Sequence, residues 1–412
     1  MSLRILSPRL PWNGRRVVLG VTGGISAYKA VQVARDLTRL GAQVDVILTP
    51  TAERFVGSLS FEGVTGRPVL DHLFKSEGAA LHVRLGREAD AIVVAPATAD
   101  LLARAAQGRA DDLLTTTLLA ARGPVILCPA MNDRMFAHIQ VQRNLAHCRD
   151  VLDYRIAGPG TGALAAGEAE GEGRMLEPYA IVQHVGRALG ESLAFRGRCV
   201  LVTSGPTREA VDPVRFVGNR SSGRMGRALA EAAWRRGAEV TVVSGPVAVE
   251  PPVGAQVVRV ATAVEMRDAV AERIGSADLV MFAAAVADFR PQETRSAKLK
   301  RSIEGSAFDL HMVANPDVAV ETRGARKPGA FVVGFALETE DLVENARLKL
   351  AAKGFDLVVS NRAGVEGSGF ESDTNKVTMV GPDGSAEVLP SMDKDAVADI
   401  VLDRVDALLS AR

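Results

Sequence analysis

Two stretches of the chain repeat one pattern of apolar and polar positions. Residues 16–21 are an apolar run of strand length that meets a glycine-rich turn, Thr22-Gly23-Gly24-Ile25-Ser26. Apolar positions at helical spacing follow, from Ala27 to about Leu40. Gly41 closes that helix as a left-handed cap, and residues 44–48 form the next strand. The pattern restarts at Cys199: residues 199–203 read as a strand, Ser204-Gly205-Pro206-Thr207 as a turn, 221–226 as a helix start, Gly237 as its end, and 239–243 as the next strand. Further apolar runs at 91–95, 125–128, 256–260, 279–283, 330–334 and 356–359 predict more strands. Strands alternating with helical patterns predict α/β domains with mostly parallel sheets and ligands at the carboxyl ends of the strands. The glycine-rich stretch 158–173 reads as a loop or flap. A junction near 189–198 divides the chain into residues 1–190 and 191–412.

A strand, a glycine turn and a helix suggest a dinucleotide site, yet neither turn has G-x-G-x-x-G spacing. The second strand of each half ends at Thr49 and Ser244, where an NAD site places a carboxylate for the ribose hydroxyls. Hydroxyls and a helix N-terminus suit a phosphate-bearing ligand other than NAD.

Composition narrows the classes. Of 412 residues, 47% are hydrophobic and 24% charged, enough for packed cores. Lys+Arg and Asp+Glu both number 49, so no general pull toward nucleic acid or an anionic membrane is expected. The three cysteines, Cys128, Cys148 and Cys199, have no CxxC spacing and leave one unpaired, which fits a reducing compartment. No run approaches the ~18 apolar residues of a membrane span. A cytoplasmic protein is expected.

The first half carries four phrases near its strand ends: Leu81-His82-Val83, Ala95-Pro96-Ala97-Thr98-Ala99-Asp100, Ala110-Asp111-Asp112-Leu113-Leu114 and Pro129-Ala130-Met131-Asn132-Asp133-Arg134-Met135. Taken singly, His82 reads as a core or surface histidine and Asn132 as a helix N-cap. Together, and with Gly173-Arg174-Met175, they resemble the flavin-dependent cysteine decarboxylase family, which includes phosphopantothenoylcysteine decarboxylase. The resemblance implies a flavodoxin-like domain with FMN held by Gly23, Gly24, Ser26, Thr49, Ala97 and Thr98, and trimeric contacts. It also implies oxidation of a cysteine thiol to a thioaldehyde, loss of the neighbouring carboxylate as CO2, and protonation of an ene-thiolate. His82 would be base or orienting group, and Asn132 would hydrogen-bond the carboxylate. The family's flap places a proton-donating cysteine where this chain reads Leu164-Ala165-Ala166-Gly167. Ala166 has no titratable proton. Glu168, Glu170 and Cys128 are the nearby alternatives, and a ligase whose flavin half is impaired or stops at the ene-thiol is a second reading.

The second half carries Thr203-Ser204-Gly205-Pro206-Thr207, Asp212-Pro213-Val214-Arg215, Gly218-Asn219-Arg220-Ser221-Ser222-Gly223-Arg224-Met225-Gly226, Ala283-Ala284-Ala285-Val286-Ala287-Asp288, Lys298-Leu299-Lys300-Arg301, Asn315-Pro316-Asp317-Val318 and Gly334-Phe335-Ala336-Leu337-Glu338. Lys349 and Lys353, four apart, project from one helix face. Alone they read as a solvated face. The ordered set resembles bacterial, CTP-using phosphopantothenate–cysteine ligase, a Rossmann-like domain. The resemblance implies an acyl-cytidylate route to coenzyme A with CTP and Mg2+, whose ligands the sequence does not name. Lys298, Lys349 and Lys353 would contact the triphosphate, with Lys298 and Asn219 catalytic. Gly223, Gly226, Phe282, Ala283, Ala284, Asp288, Pro316, Asp317, Val318, Ala319 and Phe335 would complete the CTP site. The implied partners are small molecules (4′-phosphopantothenate, cysteine and CTP) and further copies of the chain. Trimers would form through the flavin half and dimers through the ligase half. An NAD(P)-dependent reductase on two Rossmann units remains the alternative from another class.

Overall fold

The structure, a computed structural model, describes residues 4–5, 10–73, 80–164, 170–190, 195–300, 308–362, 364 and 372–411. It divides into two compact units, Leu10–Gly190 and Met1–Arg9 with Glu191–Arg412. Arg4–Ile5, grouped with the first domain in the sequence reading, pairs in parallel with Glu387 and Val388 of the second unit.

The first unit is built on a five-stranded sheet ordered Gln43–Leu48, Arg16–Val21, Ala91–Ala97, Val125–Pro129, Arg155–Ile156. All four pairings are parallel. Counted along the chain this is 2-1-3-4-5, the flavodoxin-like order. The apolar runs are strands because both faces are covered: Val17, Leu19 and Val21 enter one core while Val18 enters the other. Helix Ala27–Arg39 lays Ala30, Val33, Ala34 and Leu37 on the first face. The stretch read as a loop at 158–173 contains an antiparallel ladder, Gly160–Ala163 against Glu170–Arg174.

The second unit holds a nine-stranded sheet. Six strands run parallel in the order Ala255–Arg259, Glu239–Ser244, Cys199–Ser204, Leu279–Phe282, Phe331–Glu338, Leu357–Arg362. From Cys199 onward this is 3-2-1-4-5-6, the Rossmann order. Val377–Val380 and Ala386–Val388 extend it antiparallel. Helix Arg224–Arg235 is buried on nearly every side, because helix Lys394–Ser410 packs over it. The buried charges at that interface are paired: Asp399 accepts from both Arg235 (2.9 Å) and Arg236 (2.7 Å). Among the described residues no helix is long and apolar enough to cross a membrane.

Candidate functional sites

In each unit the strand order reverses beside the first strand, which leaves a crevice at the carboxyl ends. In the first unit the reversal lies between Arg16–Val21 and Ala91–Ala97. A cavity of ≈ 1130 Å³ opens there, lined by Thr22, Gly23, Gly24, Ser26, Thr49, Thr98 and Asn132 among others. Helix Ala27–Arg39 starts at this turn with no side-chain cap; Ala27 N and Lys29 N donate to the carbonyls of Gly24 (2.9 Å) and Ser26 (3.0 Å), and the positive end of the helix lies at the cavity. Gly23 is required by close approach: a Cβ there would lie 2.2 Å from Thr51 Cγ2 and 2.9 Å from its carbonyl carbon. Thr22 Oγ1 donates to the Pro96 carbonyl (2.7 Å), joining the turn to the neighbouring strand end. Thr98 caps helix Ala99–Ala106.

Asn132 lines the cavity and is a helix N-cap. Its Oδ1 accepts from Arg134 N (2.9 Å) and caps helix Asp133–Phe136. This fixes the side chain and leaves the amide N–H donors, which have no acceptor among the described residues. Ala97 is placed differently from the expectation. It is fully buried in its strand, and its carbonyl accepts from Ala130 N (3.1 Å), while Thr98 and Ala99 line the cavity. His82 is half-buried on helix Leu81–Glu88, outside the cavity lining, with a buried Nδ1 that meets no partner among the described residues. Cys128 is fully buried, and burial pushes its thiol far up, so it is no ready proton donor. Ala166 and Glu168 lie outside the described residues. Glu170 is exposed at the start of its strand.

The cavity also has charged walls that the sequence reading left out. Lys29 pairs with Glu177 (2.8 Å), which also accepts from Arg174 (2.6 Å). Arg104 reaches Asp112 (2.6 Å) and Asp111 (3.2 Å), while Asp112 caps helix Leu113–Leu119 through a capping box. The Asp111-Asp112-Leu113 phrase was the available signal. Its arginine partner lies on another element and carried none.

In the second unit the reversal lies between Cys199–Ser204 and Leu279–Phe282. Gly223 caps helix Arg224–Arg235 with φ +77°, and Gly226 lies against the strand end. A Cβ on Gly226 would meet Ser204 Oγ at 2.3 Å and Cβ at 2.5 Å, so only glycine lets this helix start approach the sheet. Thr203 and Thr207 accept from the N–H groups of Ala284 (3.2 Å) and Ala287 (3.0 Å), holding the Ala283–Asp288 chain at the crevice. Asn219 Nδ2 donates to the carbonyls of Ala285 (3.2 Å) and Val286 (3.0 Å) on the same segment. Asp288 is exposed beyond it, and its carbonyl accepts from Asn315 N (2.8 Å), next to Pro316. Phe335 is half-buried on Phe331–Glu338 and packs on the main core.

Both helix lysines are held by carboxylates. Lys349 pairs with Glu338 at 2.5 Å and Lys353 with Asp317 at 2.8 Å. Asp317 at the same time caps helix Val318–Glu321 through the N–H groups of Ala319 and Val320. The lysines are thus neither a freely solvated face nor a bare cationic pair. Lys298 is exposed and has no ion pair among the described residues. Ser244 donates its hydroxyl to Gly245 O (2.9 Å), and no carboxylate occupies the end of that strand. No cluster of three or more metal-ligating side chains occurs among the described residues.

A family model described as flavoprotein matches residues 7–190, and one described as DNA/pantothenate metabolism flavoprotein C-terminal domain matches residues 195–409. The coenzyme A biosynthesis bifunctional protein CoaBC of Vibrio cholerae is 42% identical over 393 residues, spanning 94% of this chain and 97% of that one. Its namesake in Bacillus subtilis is 42% identical over 404 residues, spanning 96% and 98%. A solved C-terminal domain of a protein of that name is 37% identical with a TM-score of 0.45, covering 54% of this chain and 100% of that domain. With identity of this level running through both units, the chain belongs to the family of coenzyme A biosynthesis bifunctional proteins.

Proposed function

We propose that the chain carries out two consecutive steps toward coenzyme A. Its second unit joins cysteine to 4′-phosphopantothenate, activated by CTP as an acyl-cytidylate, and its first unit decarboxylates the product to 4′-phosphopantetheine. The observation that carries this reading is the pairing, on one chain, of two switch-point crevices in units matched by the flavoprotein and the pantothenate-metabolism models. A ligase-only reading is not favoured, because relatives named bifunctional match 94–96% of the chain, flavoprotein half included. A nicotinamide reductase is opposed by Ser244, which spends its hydroxyl locally where a ribose-binding carboxylate would stand.

The first-unit cavity fits FMN. It has the volume, an uncapped helix start for the phosphate, and a turn that Gly23 alone can make. Gly23, Gly24, Ser26, Thr49 and Thr98 would hold the group, which when bound supplies two-electron oxidation and re-reduction of the sulfur-bearing carbon. Asn132, its rotamer fixed by the cap, offers amide donors to the carboxylate and keeps it anionic until CO2 departs. In the second unit, Lys298, Lys349 and Lys353 offset charge on the triphosphate as the carboxylate attacks. Glu338 and Asp317 keep two of them extended and ready to exchange one anion for another. Mg2+ would enter with the nucleotide. The exposed Ile25, Tyr28 and Leu59 of the first unit support assembly of several copies through that unit, with dimers through the other. A cytoplasmic location fits soluble small-molecule substrates.

The test is a one-pot reaction with phosphopantothenate, cysteine, CTP and Mg2+, read by mass spectrometry. Phosphopantetheine, CMP and pyrophosphate in equal amounts are expected, with nothing formed when CTP is left out. Product formed without CTP, or CMP formed with no cysteine adduct, would overturn the reading.

A further inference from the structure

Lys298 stands on a segment, 292–300, that has no strand or helix of its own. A side chain that must meet a reacting phosphate needs its backbone fixed, and here the fixing comes from a distant turn. Thr294 Oγ1 donates to Ala210 O (3.1 Å) and Arg295 N to Val211 O (3.0 Å). The residue next to Lys298 is gripped at both of its polar backbone groups. Leu299 N donates to Asp212 Oδ2 (3.0 Å), and Arg215 Nη1 donates to Leu299 O (3.0 Å). The two gripping groups are themselves bonded, Arg215 Nη1 to Asp212 Oδ2 at 2.6 Å. Asp212 is 2% exposed, and its Oδ1 accepts from Val214 N and Arg215 N, both at 2.7 Å. The carboxylate therefore receives four hydrogen bonds from four donor groups and has a single geometry. Burial alone would raise its pKa, but the N–H groups of Leu299, Val214 and Arg215 and the guanidinium outweigh it and hold the carboxyl at about 2. The clasp is fully charged throughout the working pH range.

We infer that Asp212, with Arg215, is a positioning residue that clasps the Leu299 peptide groups and so sets where Lys298 stands in the ligation step. The inference rests on the proposed nucleotide reading of this unit. Asp212 acts through the backbone rather than by touching substrate. Its effect should therefore vanish when Lys298 is already gone, whereas a merely structural carboxylate would do the same harm in either background.

The experiment is a double-mutant cycle on the full-length protein. It uses Asp212→Asn, Lys298→Gln and both together, with ligation followed as cysteine-dependent pyrophosphate release from CTP. Asp212→Asn is expected to lower kcat by on the order of 10²-fold, the cost of roughly 1 Å of misplacement. The double variant should be no slower than Lys298→Gln, and Asp212→Glu should recover part of the rate. Multiplying effects in the double variant would overturn the clasp. If Asp212→Asn does not fold, Arg215→Met, which releases the Leu299 carbonyl and leaves the turn to Asp212, carries the same cycle. A wild-type protein that releases no pyrophosphate from CTP would overturn the nucleotide reading itself, a result distinct from any outcome of the cycle.

Discussion

At the scale of single residues, polar side chains at the two crevices divide their atoms between different partners. Asn132 caps a helix with its oxygen, and its amide N–H groups have no acceptor among the described residues. Asp317 caps a helix with one carboxylate oxygen and holds Lys353 with the other. Asn132→Ala should therefore remove decarboxylation by at least about 10²-fold, the range for one preorganised donor, and leave CTP-dependent ligation intact. Separate assays of CO2 and pyrophosphate check this. His184 gives a pH-dependent prediction. Burial first, then Arg187 and Arg155, lowers its pKa from 6.5 to about 4. The unfolded chain then binds a proton that the fold does not, so stability is full above pH 6.5 and falls between there and pH 4, by about 2–3 kcal/mol. Urea titrations at pH 7 and 4.5 should show that loss for the wild type and a smaller one for His184→Gln. Thr49, Thr98 and Asn132 were legible as residues of the cavity lining because each ends a strand or follows its turn. Glu338 as the partner of Lys349 was not, since nothing local in sequence joins a strand end to a helix eleven residues on.

At the scale of elements, what matters is how closely helices approach strand ends. Gly226→Ala would push helix Arg224–Arg235 away from Ser204 and should cost about 1–3 kcal/mol by chemical denaturation. Arg326 does a comparable job by bridging. It donates to Ala319 O (2.7 Å), Gly354 O (2.8 Å) and Lys353 O (3.1 Å), and lies against the adjoining rings of Phe282 and Phe355 at 5.8 and 6.0 Å. It thereby ties the Asp317 turn to the end of the lysine helix. Arg326→Met should raise the KM for CTP about tenfold, some 1.4 kcal/mol, without a like change in the KM for cysteine. Strands and helices were readable because apolar period and glycine punctuation agreed. The Gly160–Ala163 ladder was not, because its glycines carry little strand preference and its pairing is set by the partner segment.

At the scale of the whole molecule, each unit has its own core on both faces of its own sheet. Stripping flavin from the purified protein should abolish CO2 release while pyrophosphate release continues at the wild-type rate. A parallel fall in both would show that the units do not act independently. Two parallel-sheet domains were visible in sequence as a pattern that starts twice. The strand orders 2-1-3-4-5 and 3-2-1-4-5-6 followed only from the family resemblance, since order is decided by crossovers rather than by any one segment.

The pairing of Arg4–Ile5 with Glu387 and Val388 has a consequence for how the chain is made and divided. In topology the flavin-type unit is an insertion: the ribosome emits one strand of the second unit, then an entire other domain, and only some 380 residues later the strand that accepts it. The first unit can close while that leading strand waits. A gene split at the junction between the units would thus not yield two natural halves. It would leave the second without the strand that covers its outermost edge, and a tag fused to the first residue would in effect be a tag on the last sheet to form.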